Sequence, residues 1–208
     1  MSYQALIFDA GGVFVPHDNE QLFVRLAGRC SGGDALDRIR ARSADRRIGT
    51  GETTAADVHA WLSDELGYGA GPETFLEDWS CHLVVDHDML ELMTALSENY
   101  RVEIFSNTNA AHWARVTELA QGGLDRFQMH LSHEIGAVKP DVSAFLLVAE
   151  RAGIEPGCSL FIDDVPDNVE GARRAGFQAE QFTSQGALEA LLQARGVRWT
   201  RPQQEIVQ

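Results

Sequence analysis

Three short apolar runs, each stopped by a cluster of polar residues, constrain this chain more than any other feature. Ala5-Leu6-Ile7-Phe8 ends at Asp9 and is followed by Gly11-Gly12. Val102-Glu103-Ile104-Phe105 ends in Ser106-Asn107-Thr108-Asn109, and Ser159-Leu160-Phe161-Ile162 ends in Asp163-Asp164. Short runs of this kind, bounded by turn residues, suit strands of a parallel sheet, which are covered on both faces and so need no polar side. A weaker strand candidate spans Phe127 to Leu131. Helical patterns over 110–120, 142–152 and 167–175 separate the runs, and Gly176 closes the last. This alternation predicts an α/β fold, a Rossmann-like doubly wound parallel sheet with right-handed crossovers. Such sheets bind ligands beyond the carboxyl ends of their strands, where the polar clusters stand.

One stretch breaks the rhythm. Leu22, Phe23, Leu26 and Ala27 share a helical face, and Val58, Trp61, Leu62 and Leu66 share another. Thr54 with Asp57 reads as a capping box opening the second helix. Gly67 to Pro72 then leads to a third helix around 73–82. The reading is an inserted α-helical cap over 17–85, a core formed by 1–16 and 86–200, and a polar tail over 201–208. The arginines between the first two helices (Arg38, Arg40, Arg42, Arg46, Arg47) read as a solvated face. Arg46 and Arg47 are the candidates to reach an anionic ligand. Trp61, Trp79 and Trp113 read as packing residues, and His130 and His133 as flanking a strand end.

Composition then excludes whole classes of function. With 17 Lys+Arg against 31 Asp+Glu, the net charge of −14 repels nucleic acid and anionic membranes. The 44% hydrophobic fraction suits a globular chain, and no apolar run approaches the roughly 20 residues of a membrane span. Met1-Ser2-Tyr3-Gln4 has no basic flank and does not read as a secretory signal. Cys30, Cys81 and Cys158 form no metal or disulfide spacing, so they are expected to pack as small apolar groups in a reducing cytoplasm. A monomer or weak homodimer is the simplest assembly.

If the strands are neighbours, Asp9, Ser106, Asn107, Lys139, Asp163 and Asp164 converge on one crevice. Carboxylates pressed together stay ionised only beside a cation, and hard oxygen ligands suit Mg2+. Asp9 would then serve as a nucleophile. Ser106 and nearby backbone N–H groups would hold phosphate oxygens, while Lys139 offsets charge on phosphate and nucleophile. Taken alone, Lys139-Pro140-Asp141 reads as a helix start with Pro in the first turn.

The order of these motifs resembles the haloacid dehalogenase superfamily, in particular phosphatases with a helical cap after the first strand. The residues carrying the resemblance are Phe8-Asp9-Ala10-Gly11-Gly12-Val13, Phe105-Ser106-Asn107-Thr108-Asn109, Val138-Lys139-Pro140-Asp141 and Phe161-Ile162-Asp163-Asp164-Val165-Pro166-Asp167-Asn168, then Gly171-Ala172 and Ala175-Gly176-Phe177. Its nearest members in pattern are alpha-D-glucose-1-phosphate phosphatases, followed by the phosphatase domain of soluble epoxide hydrolases. The resemblance implies a Mg2+-dependent phosphatase acting on a small phosphate ester through an aspartyl-phosphate at Asp9. It further implies Asp9, the Gly11 carbonyl and Asp164 as metal ligands. Ser106, Asn107 and Lys139 would bind the phosphoryl group, and Asp163 would place water or pair with Lys139. Most such phosphatases carry a second Asp where this chain has Gly11, so no side chain remains there to move a proton. His17 and Asp18 are the nearest candidates in sequence to replace it. The rival readings are a metal-free haloacid dehalogenase and a catalytically weak ligand-binding or regulatory protein.

Overall fold

In the computed structural model, which describes residues 3–16 and 18–200, all of the expected strands form and a further one joins them. The elements run β1 (Ala5–Phe8), α1 (Asn19–Ala27), α2 (Ala35–Ser43), α3 (Arg46–Gly49), α4 (Ala55–Leu66), α5 (Pro72–Trp79), α6 (His87–Ser97), β2 (Arg101–Ser106) and α7 (Ala110–Ala120). They continue as β3 (Gln128–Leu131), α8 (Ser132–Ile135), α9 (Val142–Ala152), β4 (Ser159–Asp163), α10 (Pro166–Arg174), β5 (Gln178–Gln181) and α11 (Gln185–Ala194). The five strands are parallel in the order β3-β2-β1-β4-β5.

Successive β1 side chains point to opposite faces, as the two-residue strand period requires. Leu6 and Phe8 join a core with α6, α7 and α11, while Ala5 and Ile7 join another with α9 and α10. The sheet is therefore wound with helices on both faces. β5 escaped the sequence reading because Gln178-Ala179-Glu180-Gln181 is polar at an edge and buries only Ala179.

Residues between β1 and α6 form a third apolar cluster of their own. Leu22 and Leu26 of α1 meet Ala35 and Ile39 of α2, Val58, Leu62 and Leu66 of α4, and Phe75 and Trp79 of α5. The capping box at Thr54 and Asp57 is present. Within this cluster the Asp78 carboxylate is fully buried, accepting from Arg25 Nε at 2.7 Å and Tyr68 Oη at 2.7 Å, with Arg29 paired to it as well. α5 stops at Trp79, short of the expected end. The chain beyond is drawn toward the core, where Val84 N–H donates to Pro16 O and Asp86 N–H to Phe14 O.

Other expectations need correction. The arginines are not simply solvated: Arg38 pairs with Glu65, Arg40 with Glu20, Arg46 with Asp141 and Arg47 with Asp45, and Arg42 lies 4.7 Å over the Trp61 ring. His130 lies inside β3, buried, with Nε2 at 2.6 Å from Glu103 Oε2 on β2. Cys158 is exposed rather than packed. Pro140 precedes α9 instead of opening it, and Asp141 is the N-cap. His17 and the 201–208 tail lie outside the described residues. Among the described residues, no helix is long and apolar enough to cross a membrane.

Candidate active site

β1 is central, with β2 and β4 on either side, so the strand order reverses there and a crevice opens beyond its carboxyl end. Phe8 pairs in register with Ile104 and with Ile162. One step further along each strand come Asp9, Phe105 and Asp163, so the register alone sets the two aspartates side by side. Asp9 N–H donates to Ile162 O at 2.8 Å, which holds that alignment past the strand end.

Lys139 arrives from the loop before α9 and lies between the two carboxylates. Its Nζ is 2.7 Å from Asp9 Oδ1 and 2.7 Å from Asp163 Oδ2. The ammonium also lies over the Phe105 and Phe161 rings, at 5.3 and 5.4 Å. Asn107 fixes it from behind: Lys139 N–H donates to Asn107 Oδ1 and Asn107 Nδ2 donates to Lys139 O, both at 2.9 Å. The Asn107 amide therefore holds Lys139. What remains for a ligand is the Asn107 backbone N–H and its second amide hydrogen.

Asp163 is fully buried and heavily engaged. Besides Lys139, it accepts from Val165 N–H at 2.8 Å and from Asn168 Nδ2 at 3.1 and 3.0 Å. Asp164 is half-buried and lies against Gly12. Oxygens of Asp9, Asp163 and Asp164 lie within 4.8 Å of one another. Burial pushes the Asp9 carboxyl up to about 6; Lys139 pulls against that and Asp163 pushes with it. Burial works against the Lys139 charge too, but Asp9 and Asp163 outweigh it and hold the ammonium above the ordinary lysine value.

One lysine does not balance three carboxylates gathered within 4.8 Å of one another. An all-oxygen donor set with excess negative charge fits a hard divalent cation such as Mg2+. Asp163 has little left to offer it, since its oxygens already hold Lys139, Val165 and Asn168. Asp9 and Asp164 offer carboxylate oxygens to such an ion, and Gly11 follows Asp9 by two residues in the loop after β1.

A cavity of about 490 Å3 adjoins this cluster. Gly11, buried Ser106, Asn107 and Lys139 line its core side, while Arg46 and Ile48 of α3 line the opposite wall. His82, His112 and Trp113 are also among its lining residues. Arg46 therefore lies on the cavity while paired with Asp141, whereas Arg47, paired with Asp45, does not line it. Asp18 is the N-cap of α1, accepting from Glu20 N–H at 2.9 Å, and is absent from the cavity lining. The sequence reading missed His82 and His112, which share no motif and meet only in space. It also missed Ser132, whose hydroxyl accepts from Thr108 N–H at 2.9 Å and lies 2.6 Å from Gly49 O.

Comparison with known proteins bears on the family and the fold. A family model for haloacid dehalogenase-like hydrolases matches residues 3–176. A phosphatase of Mycobacterium tuberculosis, MT3486, is 50% identical over 48 residues, which is 23% of this chain and only 22% of that protein's length. The haloacid dehalogenase family enzyme BT-2542 of Bacteroides thetaiotaomicron superposes with a TM-score of 0.84 at 25% identity, covering 92% of this chain and 99% of that one. The structure of BT-2542 with magnesium and inorganic phosphate superposes with a TM-score of 0.78, at 25% identity and with 88% and 96% coverage.

Proposed function

The chain belongs to the haloacid dehalogenase-like hydrolases, and from that premise we propose that it is a Mg2+-dependent phosphatase of a small phosphorylated metabolite, working through an aspartyl-phosphate at Asp9. The observation that carries this reading is the excess of carboxylate over lysine at the end of β1, where Asp9 and Asp163 pair with Lys139 and Asp164 is gathered beside them. A metal-free dehalogenase would have to hold that acidic group with a single ammonium, at a large desolvation cost. The magnesium and phosphate bound by BT-2542 support the same reading.

In this proposal Asp9, the Gly11 carbonyl and Asp164 hold the ion. When bound, Mg2+ would neutralise the surplus charge and polarise the phosphoryl oxygens. Asp9 presents its remaining carboxylate oxygen to phosphorus. Lys139 keeps Asp9 oriented and places positive charge beside the transferring group, and Asp163 keeps Lys139 in place. Ser106 and the Asn107 backbone N–H receive phosphoryl oxygens. The helices over 17–85 act as a cap that excludes water, with Arg46 facing the substrate from α3. A sugar phosphate, as for the alpha-D-glucose-1-phosphate phosphatases, is the substrate class we favour, in a monomeric or weakly dimeric cytoplasmic enzyme.

A panel of phosphate esters, assayed with Mg2+ and again with EDTA, tests the reading. Turnover that EDTA abolishes, and that Asp9→Asn removes, is expected. Failure of every ester, together with chloroacetate hydrolysis that depends on Asp9, would overturn it in favour of a dehalogenase.

A further inference from the structure

One buried hydroxyl is bonded both to the inserted helices and to the loop after β2. Gly49 ends α3, and Thr108 follows Asn107 in that loop. Both line the cavity, whereas Ser132 does not. Ser132 lies behind them, fully buried, at the first position after β3. Strand register puts it there, because Leu131 pairs with Ser106 at the end of the ladder between β2 and β3. The residue after Leu131 therefore lies beside the residues after Ser106.

Thr108 N–H donates to Ser132 Oγ at 2.9 Å, which fixes the peptide joining Asn107 to Thr108. The hydroxyl has a single hydrogen to give, and two carbonyls lie within its reach. Gly49 O is at 2.6 Å and Thr108 O at 3.1 Å, so the shorter bond runs to the inserted helices. The joint around this bond is close. At Gly51, with φ +80°, a Cβ would lie 2.6 Å from His133 O, and a Cβ on Gly49 would lie 3.2 Å from Val138 Cγ1. It is also lightly held. The apolar side chains of α1, α2, α4 and α5 pack in a cluster of their own, apart from the two that flank the sheet. The Arg46–Asp141 pair at the same joint is solvent-exposed and so contributes little. If Gly49 withdraws, the Ser132 hydrogen can turn to Thr108 O, and no buried polar group of the loop loses its partner. If the hydroxyl itself is removed, Thr108 N–H loses its acceptor and Gly49 O its donor together.

We propose that Ser132 is a positioning residue whose hydroxyl docks the inserted helices on the loop after β2 and keeps that loop in place when they lift. Its hydrogen lies on Gly49 O in the docked form and on Thr108 O in the lifted form. Thr108 N–H stays bonded to Ser132 in both. Substrate can then enter beneath the lifted helices while the loop carrying Ser106 and Asn107 keeps its geometry. The catalytic consequence rests on the phosphatase reading above, whereas the exchange of hydrogen-bond partners does not.

Two variants of the full chain test this, one on each side of the joint. Ser132→Ala removes the hydroxyl, and Gly51→Ala drives a methyl group against His133 O and so lifts the inserted helices without touching Ser132. Amide hydrogen exchange, read by NMR, follows local opening at each site. In Ser132→Ala, residues 46–53 and the Thr108 amide should both exchange faster, Thr108 by about fivefold or more for the loss of one hydrogen bond. In Gly51→Ala, residues 46–53 should exchange faster while Thr108 keeps its wild-type rate. A Thr108 amide unchanged in Ser132→Ala, or accelerated in Gly51→Ala, would overturn the proposal. On p-nitrophenyl phosphate, Ser132→Ala should lower kcat/KM by about 10- to 100-fold, the scale of a displaced binding group. Its Mg2+ concentration for half-maximal activity should stay that of wild type, because none of the hydrogen bonds of Ser132 runs to Asp9, Asp163 or Asp164. A shifted Mg2+ requirement, or an unchanged kcat/KM, would show that Ser132 does not position the loop. Should Ser132→Ala fail to fold by circular dichroism, the Thr108 amide in Gly51→Ala decides alone. A wild type inactive on every ester would sink the phosphatase reading, and the exchange pattern would still judge the hydroxyl.

Discussion

At position 12 the backbone leaves no room for a side chain. Gly12 has φ +70°, and a Cβ there would lie 2.1 Å from Asp164 Oδ2. Gly12→Ala must therefore both adopt a left-handed conformation, at about 1–2 kcal/mol, and displace the Asp164 carboxylate. The expected outcome is a lower Tm together with a higher Mg2+ concentration for half-maximal activity, read by thermal denaturation and metal titration. A lower Tm with an unchanged metal requirement would mean that Asp164 does not hold the ion. At this scale the candidate site was largely legible, because Asp9, Ser106, Asp163 and Asp164 announce themselves by interrupting apolar strands. The contact of Asn107 with Lys139 was not legible: it joins a side chain to a distant backbone, and a sequence records no such pairing.

Among the elements, α5 illustrates how a buried charge ties helices together. Asp78 draws Arg25 and Arg29, beside and beyond the end of the α1 face, and Tyr68 after α4 onto one carboxylate. Burial tends to raise the Asp78 carboxyl, but hydrogen bonds from Arg25, Tyr68 and Arg29 outweigh it and hold the carboxyl below the ordinary 3.8. A depressed folded-state value means that the unfolded chain binds the proton first. The stabilisation is thus present above about pH 4 and lost as pH falls through the lower folded value. Asp78→Asn should lower stability near neutrality by about 1–3 kcal/mol, since the buried Tyr68 hydroxyl and the two arginines lose a charged acceptor. The difference from wild type should shrink in acid, which urea titrations at several pH values would reveal. A difference that stays constant with pH would rule out this account. The helix boundaries near this cluster were less legible than the helices, because tertiary hydrogen bonds to Pro16 and Phe14 set where the chain leaves the helical path.

For the whole molecule, charge acts at two ranges. The net −14 opposes the approach of any phosphate ester, so in the proposed phosphatase capture would fall to local cation chemistry at Lys139, Arg46 and Mg2+. A ligand that binds only the folded chain stabilises it by mass action, about 2.7 kcal/mol at 100 times its Kd. Mg2+ is therefore expected to raise Tm in a concentration-dependent way, with Ca2+ a useful comparison and Asp9→Asn blunting the shift. A Tm indifferent to Mg2+ at millimolar concentration would contradict an ion held by Asp9 and Asp164. The inserted helices dock on the core where Ser132 meets Gly49 O, where the Gly51 backbone approaches His133 O, and where Arg46 pairs with Asp141. Of these residues, Arg46 and Gly49 line the cavity that Lys139 also lines.

The sequence by itself determined the parallel sheet, because four-residue apolar runs cannot be satisfied with one face in water. It also determined the acidic strand ends, because carboxylates directly after buried strands need compensation. Only the tertiary structure decided how the individual groups are used. Strand register set Asp9 beside Asp163, Lys139 closed the pair from a distant loop, and His82 met His112 across separate elements. The physical reason is that periodicity and turn chemistry act over a few residues, whereas hydrogen bonds and charge act over a few ångströms. Only the folded chain brings residues remote in sequence within that distance.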